Sequence, residues 1–374
     1  MPAYLDNAAT TPMHPEAVEA MLPFLRDRFG NPSGSHAVSR EAKKALEEAR
    51  EIVADCLGAR PGEVVFTGGG TEADNLAVLG HVAARPGPVL CSAVEHHAVL
   101  HACQATGDWR EVPVGADGVV DLDALEEMLD PSTSVVAVML ANNEVGTIQP
   151  LAQVAERVRA RAPEAAVVTD AVQAFPWLDV AELAAPADLV AVSAHKFGGP
   201  KGVGALVVRD GVAVRPIIHG GGQERDRRSG THNVAGIAAM AAAMQVTVAR
   251  RAATVARVAA MRDRLADGLL GAVPGAVETG DRDVKVAGNC HLTFEGVESE
   301  ALLVLLDAAG VYASAGSACA SGAVEPSYVL TAMGVPRERG VGALRLSLGP
   351  TTTDADIDLA LEAVPAAVAR LREG

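Results

Sequence analysis

Aromatic side chains are scarce: Phe, Trp and Tyr make up 3% of the 374 residues. Any core must therefore be aliphatic, drawn from a chain that is 49% hydrophobic. That length and content predict a large core and more than one domain. No stretch approaches the roughly 18 uninterrupted apolar residues of a membrane span. Alanine-rich stretches such as Ala235 to Met244 suit a buried helix instead. The opening MPAYLDNAAT has neither a basic nor an apolar region, so no export signal is expected. Positive charge is also short. With 31 Lys and Arg against 47 Asp and Glu, the net charge is −16. This argues against nucleic acid as a direct partner, because phosphate contacts need clustered cations; the acidity reads as solubility. No CxxC pair occurs, which argues against a metal site built by this chain alone. No long like-charge block, internal repeat or low-complexity linker is present.

Five cysteines are present. An odd count without an export signal predicts reduced thiols in a cytoplasm. Cys56, Cys91, Cys103 and Cys290 lie in apolar, periodic contexts and read as small buried hydrophobes. Cys319 does not. Its surroundings, VYASAGSACASGAVEPSY, hold serine, glycine and alanine and nothing to pack a core around.

Strand and helix signals alternate along the first two thirds. EVVFT reads as a strand, followed by glycines and a helix from about Thr71. GPVLCSAV is a strand before a helix over His97 to Ala105, and SVVAVMLA is a strand buried on both faces before the helix LAQVAERVRARA. AAVVTDAV, LVAVSA and VGALVVRD are further strands. The alternation predicts an α/β fold with a mostly parallel sheet covered by helices. After about residue 250 the pattern changes. A long helix over roughly Val234 to Leu270 leads into strand CHLTFEG, helix SEALLVLLDAA, the bare Cys319 loop, helix PSYVLTAM, strand ALRLSLG and a last helix. The expected division is a large domain over 16–255 and a smaller α+β domain from 1–15 and 256–374, the latter carrying Cys319.

Five segments could carry chemistry. FTGGGTEADN ends a strand, turns on three glycines and opens a helix, whose free N–H groups suit phosphate. It is neither a Walker A loop nor GxGxxG, and taken alone it reads rather as a plain strand-to-helix turn capped by Thr71. Asp170 ends a strand in VVTDAVQAF, where open α/β sheets place ligand contacts, with Gln173 close by; a helix cap would look the same. Lys196 follows a buried strand in VSAHKFGGPKG, a setting that lowers an amine's pKa and suits a Schiff base. A snorkelling surface lysine is the alternative, and Lys201 the decoy. HGGGQERDRRSGTHN is a long polar loop able to hold an anion, or simply exposed. Arg345, inside the apolar alternation ALRLSLG, needs either a substrate carboxylate or a structural partner. Together these are a phosphate cradle, an acid for a pyridine nitrogen, a Schiff-base lysine and a carboxylate-binding arginine, the requirements of pyridoxal phosphate chemistry.

The set resembles the cysteine desulfurases, the NifS/IscS-like group of the class V aminotransferase fold family. YLDNAATTP, TGGGTEADN, VEHHAV, NNEVGTIQP, DAVQ, SAHKFGGPKG, GGGQERDRRSGT, GSACAS, EPSYVL and RLSLG occur in the family's order across nearly the whole chain. The resemblance implies the type I, aspartate-aminotransferase-like fold, with a mostly parallel seven-stranded sheet in the large domain. It also implies pyridoxal 5′-phosphate as cofactor. Lys196 would form the Schiff base, and His96 would stack on the ring and move protons. Asp170 would meet the pyridine nitrogen, Gln173 the phenolic oxygen, and Asn143 that oxygen and the substrate carboxylate. Gly70, Thr71, Ser193 and His195 would hold the phosphate. Thr231 would reach the phosphate of a partner subunit, so a homodimer is implied. Arg345 would bind the carboxylate of L-cysteine.

Cys319 would then be the thiol that takes the substrate's sulfur as a persulfide and hands it to an acceptor protein. GSACAS resembles the subgroup with the longer loop. The chain stops soon after its final helix, so the family's C-terminal tail for docking an iron–sulfur scaffold is expected to be short or missing. This disfavours a scaffold as the acceptor and leaves a tRNA-thiolating enzyme, a sulfur carrier in a biosynthetic pathway or a DNA-modifying system open. Selenocysteine lyases and aminotransferases share the fold, and Cys319 is the residue an aminotransferase does not need.

Overall fold

The structure is a computed structural model and describes residues 2–316 and 325–373. Its twelve described strands are β1 (Ala3–Tyr4), β2 (Val64–Thr67), β3 (Val89–Ser92), β4 (Trp109–Val112), β5 (Val135–Ala137), β6 (Ala166–Asp170), β7 (Leu189–Ser193), β8 (Gly204–Val208), β9 (Val277–Glu278), β10 (Asn289–Thr293), β11 (Val311–Tyr312) and β12 (Ala343–Ser347). Its described α-helices are α1 (Pro15–Arg26), α2 (Ala37–Cys56), α3 (Gly70–Ala84), α4 (His97–Ala105), α5 (Leu122–Met128), α6 (Leu151–Arg161), α7 (Val180–Leu183), α8 (Val234–Ala272), α9 (Ser299–Ala308), α10 (Tyr328–Ala332), α11 (Arg337–Gly340) and α12 (Asp354–Glu373).

Seven strands form the main sheet in the order β2-β8-β7-β6-β5-β3-β4. Neighbours from β7 through β4 pair in parallel, while β8 pairs antiparallel with both β7 and β2. Hence β2 runs in the common direction and β8 alone opposes it. Both faces are apolar, as the uninterrupted apolar runs of the sequence require. Phe66, Leu90, Val136, Val167, Val190 and Val207 join one core, and their alternate neighbours Val65, Val89, Val135, Val168, Leu189 and Leu206 join the core on the opposite face. The predicted strand SVVAVMLA is shorter as a ladder, since β5 covers Val135–Ala137. Its continuation stays extended, Val138 and Leu140 donating to the carbonyls of Val168 and Asp170.

A separate core gathers Leu265 and Leu269 of α8, Leu292 of β10, Leu302 of α9, Leu346 of β12 and Val364 of α12. Its sheet has the order β12-β10-β9, beside a β1-β11 pair. The 39-residue α8 runs through both regions, contributing Ile237 and Met240 to the first core and Leu265 and Leu269 to this one. Among the described residues, no helix is long and apolar enough to cross a membrane.

Candidate active site

The strand directions decide where chemistry can gather. Five parallel strands release their C-terminal ends along one edge: β2 into Gly68–Gly70, β3 into His96, β5 into Asn143, β6 at Asp170 and β7 into Lys196. Ligands of open α/β sheets bind outside that edge.

At the end of β2 the chain turns through Gly69 at φ +145°, a conformation that only glycine adopts readily. The helix α3 begins at Gly70, one residue before the predicted Thr71 start, with Gly69 as its N-cap. No side chain caps it, so Thr71 does not play the capping part that the sequence allowed. The first-turn N–H groups remain available to an anion. A methyl group on Gly70 would meet Val172 at 3.0 Å and Ser193 at 3.3 Å, so the turn packs directly on the neighbouring strand ends.

His96 is the N-cap of α4, and its Nδ1 accepts the Ala98 N–H at 3.1 Å. This fixes the ring and leaves Nδ1 unprotonated. Burial first, then the charges of Lys196 and His101, push the imidazole's pKa down, while Asp170 pulls it up.

Asp170 is buried at the end of β6, where Oδ1 accepts the Val172 N–H at 2.8 Å. Burial raises its pKa, and His96, the Val172 N–H and Lys196 counteract. Two more buried acids lie close enough to act on it, Asp74 and Glu95, both held well above the usual carboxylate range by burial. Neither is among the site residues expected from the sequence.

Lys196 stands on the 3₁₀ turn after β7. Its Nζ donates to the carbonyl oxygens of Ala8 at 2.6 Å and Ala9 at 2.9 Å. Burial and the Arg345 charge bring the amine down to about 8, against Asp170 and Asp6. Gln173 Nε2 also donates to Ala8, at 2.7 Å. His195 Nδ1 lies 3.2 Å from Thr10 Oγ1, and burial beside Lys196 lowers its pKa to about 4. Ser193 is buried at the end of β7.

Arg345 enters from β12. Its Nη2 donates to Asp6 Oδ1 at 2.9 Å and its Nη1 to the Asn143 carbonyl at 2.8 Å, while buried Nε and Asn143 Oδ1 have no partner. The structural partner and the polar setting for a ligand therefore coexist.

The N-terminal segment 6–11 is what sequence reasoning missed. It touches Lys196, Gln173, His195 and Arg345, yet it holds no residue pattern with obvious chemistry; only its early place among the matched motifs hinted at it. Thr231 is exposed on the segment between β8 and α8, and no hydrogen bond ties its side chain to the others among the described residues. That segment is firmly built all the same. Glu224, Arg225 and Asp226 all have positive φ, and Glu224 accepts from Arg50, His232 and the Phe66 N–H. Cys319 lies outside the described residues. Among those described, no cluster of three or more potential ligands could hold a metal ion.

This geometry has counterparts. Residues 3–360 match the family model described as aminotransferase class-V. An IscS-like cysteine desulfurase of Mycobacterium tuberculosis is 48% identical, with 99% of this chain and 97% of the relative covered. A solved structure titled NifS-like protein superposes with a TM-score of 0.93 at 36% identity, covering 99% of this chain and 100% of that one. Another, titled SspA in complex with cysteine, has a TM-score of 0.81 at 31% identity, covering 94% and 100%.

Proposed function

The chain belongs to the aminotransferase class-V family and is a pyridoxal 5′-phosphate-dependent cysteine desulfurase, and from that premise we propose how its residues divide the conversion of L-cysteine to L-alanine. One observation carries the assignment of roles: a partly buried lysine amine, brought down to about 8, lies within reach of the charge of a buried aspartate, at the edge where the parallel strands end.

The residues fit the cofactor. The turn at Gly69 and Gly70 leaves a helix start with no capping side chain, Asp170 is a buried acid, and Asn143 Oδ1 is buried without a partner. Gly70, Thr71, Ser193 and His195 would hold the phosphate. Asp170 would keep a proton on the ring nitrogen, Gln173 and Asn143 would face the phenolic oxygen, and His96 would lie on the ring. When bound, the group supplies an electron sink for carbanion chemistry next to the amino nitrogen.

The protein supplies the rest. Arg345 and Asn143 hold the substrate carboxylate. Lys196, with an amine lowered to about 8, is partly neutral near pH 8 and can take the α-proton. The Cys319 thiolate attacks the substrate sulfur. The S–S bond forms, the C–S bond breaks, and its electron pair stays with the three-carbon fragment, which leaves as alanine after protonation. Cys319 keeps the sulfur as a persulfide and passes it to an acceptor protein. Thr231 on its rigid segment would complete the phosphate site of a second copy, giving a homodimer. We place the enzyme in the cytoplasm, because Cys56, Cys91, Cys103 and Cys290 are all unpaired thiols.

The test supplies L-cysteine and a reductant to the holoenzyme and quantifies alanine and sulfide. Wild type should make the two in equal amounts, and Lys196→Ala and Cys319→Ala should make neither. Sulfide release by Cys319→Ala at the wild-type rate would replace this reading with a β-elimination lyase.

A further inference from the structure

We propose that Asp6 is a positioning residue for the substrate carboxylate: it fixes the Arg345 guanidinium and, through the N-terminal segment, sets Arg345 in register with Lys196. The proposal rests on the reading of Arg345 as the carboxylate site.

The contact is direct and sheltered. Asp6 Oδ1 accepts from Arg345 Nη2 at 2.9 Å, with the Arg345 side chain 5% exposed and that of Asp6 23% exposed. On the other side, Nη1 donates to Asn143 at 2.8 Å and more distantly to Gly316 at 3.4 Å. Bonds at both Nη atoms fix the plane of a rigid, forked cation, and a carboxylate reads that plane. Without Asp6 the guanidinium keeps only carbonyl contacts and no opposite charge bonded to it.

The same segment reaches the lysine. The Tyr4 hydroxyl donates to the carbonyls of Asp6 at 3.1 Å and Thr10 at 2.8 Å, gathering residues 6–10 into a closed loop. That loop presents Ala8 and Ala9 to Lys196 Nζ. Asn7 Nδ2 and the Ala8 N–H anchor it to Ser347, two residues after Arg345 on β12, at 2.9 Å each. Carboxylate site and amine thus share one short support, although β12 and the Lys196 turn belong to different cores.

The surrounding charges single out Asp6. Glu144 is buried beside Arg345, but burial raises its pKa and favours the neutral acid. His291 faces Arg345 across the β10–β12 ladder and is kept neutral by burial, with a pKa of about 3. Lys196 repels Arg345, and the charge of Asp6 acts on Lys196 in the opposite sense to that of Arg345.

The experiment compares L-alanine with ethylamine, which lacks the carboxylate, by titrating the absorbance of the holoenzyme. In Asp6→Asn, the dissociation constant for L-alanine should rise about tenfold or more while that for ethylamine stays near wild type. The discrimination between the two ligands therefore falls, which general loosening of the fold would not produce. Unchanged or increased discrimination overturns the proposal, the increase making Asp6 a competitor for Arg345. Should Asp6→Asn fail to fold, Asp6→Glu shifts the carboxylate by one methylene, and the same ratio is read, with a smaller fall expected. Arg345→Lys separates the two claims. If it retains full preference for L-alanine, the carboxylate reading itself is wrong; if it loses the preference while Asp6→Asn keeps it, only the role of Asp6 is wrong.

Discussion

The Lys196 amine donates to the Ala8 carbonyl at 2.6 Å, so a residue of the eighth position holds the side chain to which the proposed mechanism gives the α-proton. The carbonyl stabilises the ammonium form, yet burial and Arg345 outweigh it and bring the pKa from 10.5 to about 8. The sign of the consequence follows. Between about pH 8 and 10.5 the unfolded lysine keeps a proton that the folded one has lost, so this residue makes stability rise with pH across that window. In the cofactor-free protein, Lys196→Met should remove the rise and be more stable at pH 7 by up to about 3 kcal/mol. Thermal melts of both proteins from pH 7 to 10.5 check this; parallel melting curves against pH would contradict it.

Glu224 should behave in the opposite direction. It sits with Arg50 in a pair exposed by only 1% and 4%, and that contact helps bring its pKa from 4.5 to about 2. Its contribution is present above pH 4.5 and lost as pH falls toward 2. Glu224→Gln leaves the buried Arg50 guanidinium with only the half-exposed Glu47 as charge partner, which costs about 3 kcal/mol at pH 7. Acid unfolding measured by circular dichroism should show the gap between variant and wild type closing as pH falls below 4.5.

Gly204→Ala tests the proposed phosphate turn from the strand packed behind it. A methyl group there would come within 2.6 Å of the Val192 carbonyl and 2.8 Å of the Gly69 backbone. Since Gly69 cannot be displaced without disturbing the start of α3, cofactor affinity should fall about tenfold, with a stability loss of about 1–3 kcal/mol. Dialysis against limiting cofactor measures the first and melting the second. Gly62→Ala, where a methyl group meets open space, should change neither.

Asp74 is a buried acid with a raised pKa and an Oδ1 that lacks a partner. A raised carboxylate pKa means that the folded state holds more protons than the unfolded state above pH 3.8, so this group lowers stability as pH rises. Asp74→Asn keeps the shape and removes the titration. It should melt within about 1 kcal/mol of wild type, or above it, at pH 7. A loss of several kcal/mol would mean that Asp74 is ionised and paired through a contact not seen here.

What could be read early was local. Short, mostly apolar runs mark β2, β3, β6, β7 and β8, because a strand buried on both faces draws most of its side chains from apolar residues. The helix over His97 to Ala105 stands where its periodicity put it. Lys196 and Asp170 were legible because each directly follows or ends such a strand, and the family motifs gave them company.

What could not be read was long-range. α2 carries no motif of its own, and its Arg50 finds Glu224 at a separation of 174 residues. Gly69, not Thr71, is the N-cap, because the backbone there packs against Ser193 at the end of β7 and Val172 just after β6. The pair of Asp6 with Arg345 spans 339 residues, and neither residue signals the other.

Residue order alone determined which segments become strands and helices, since burial periodicity is set by neighbours one to four positions away. Only the tertiary structure decided which acid faces which base, because a charge taken out of water must find its partner in space, however far away that partner lies along the chain.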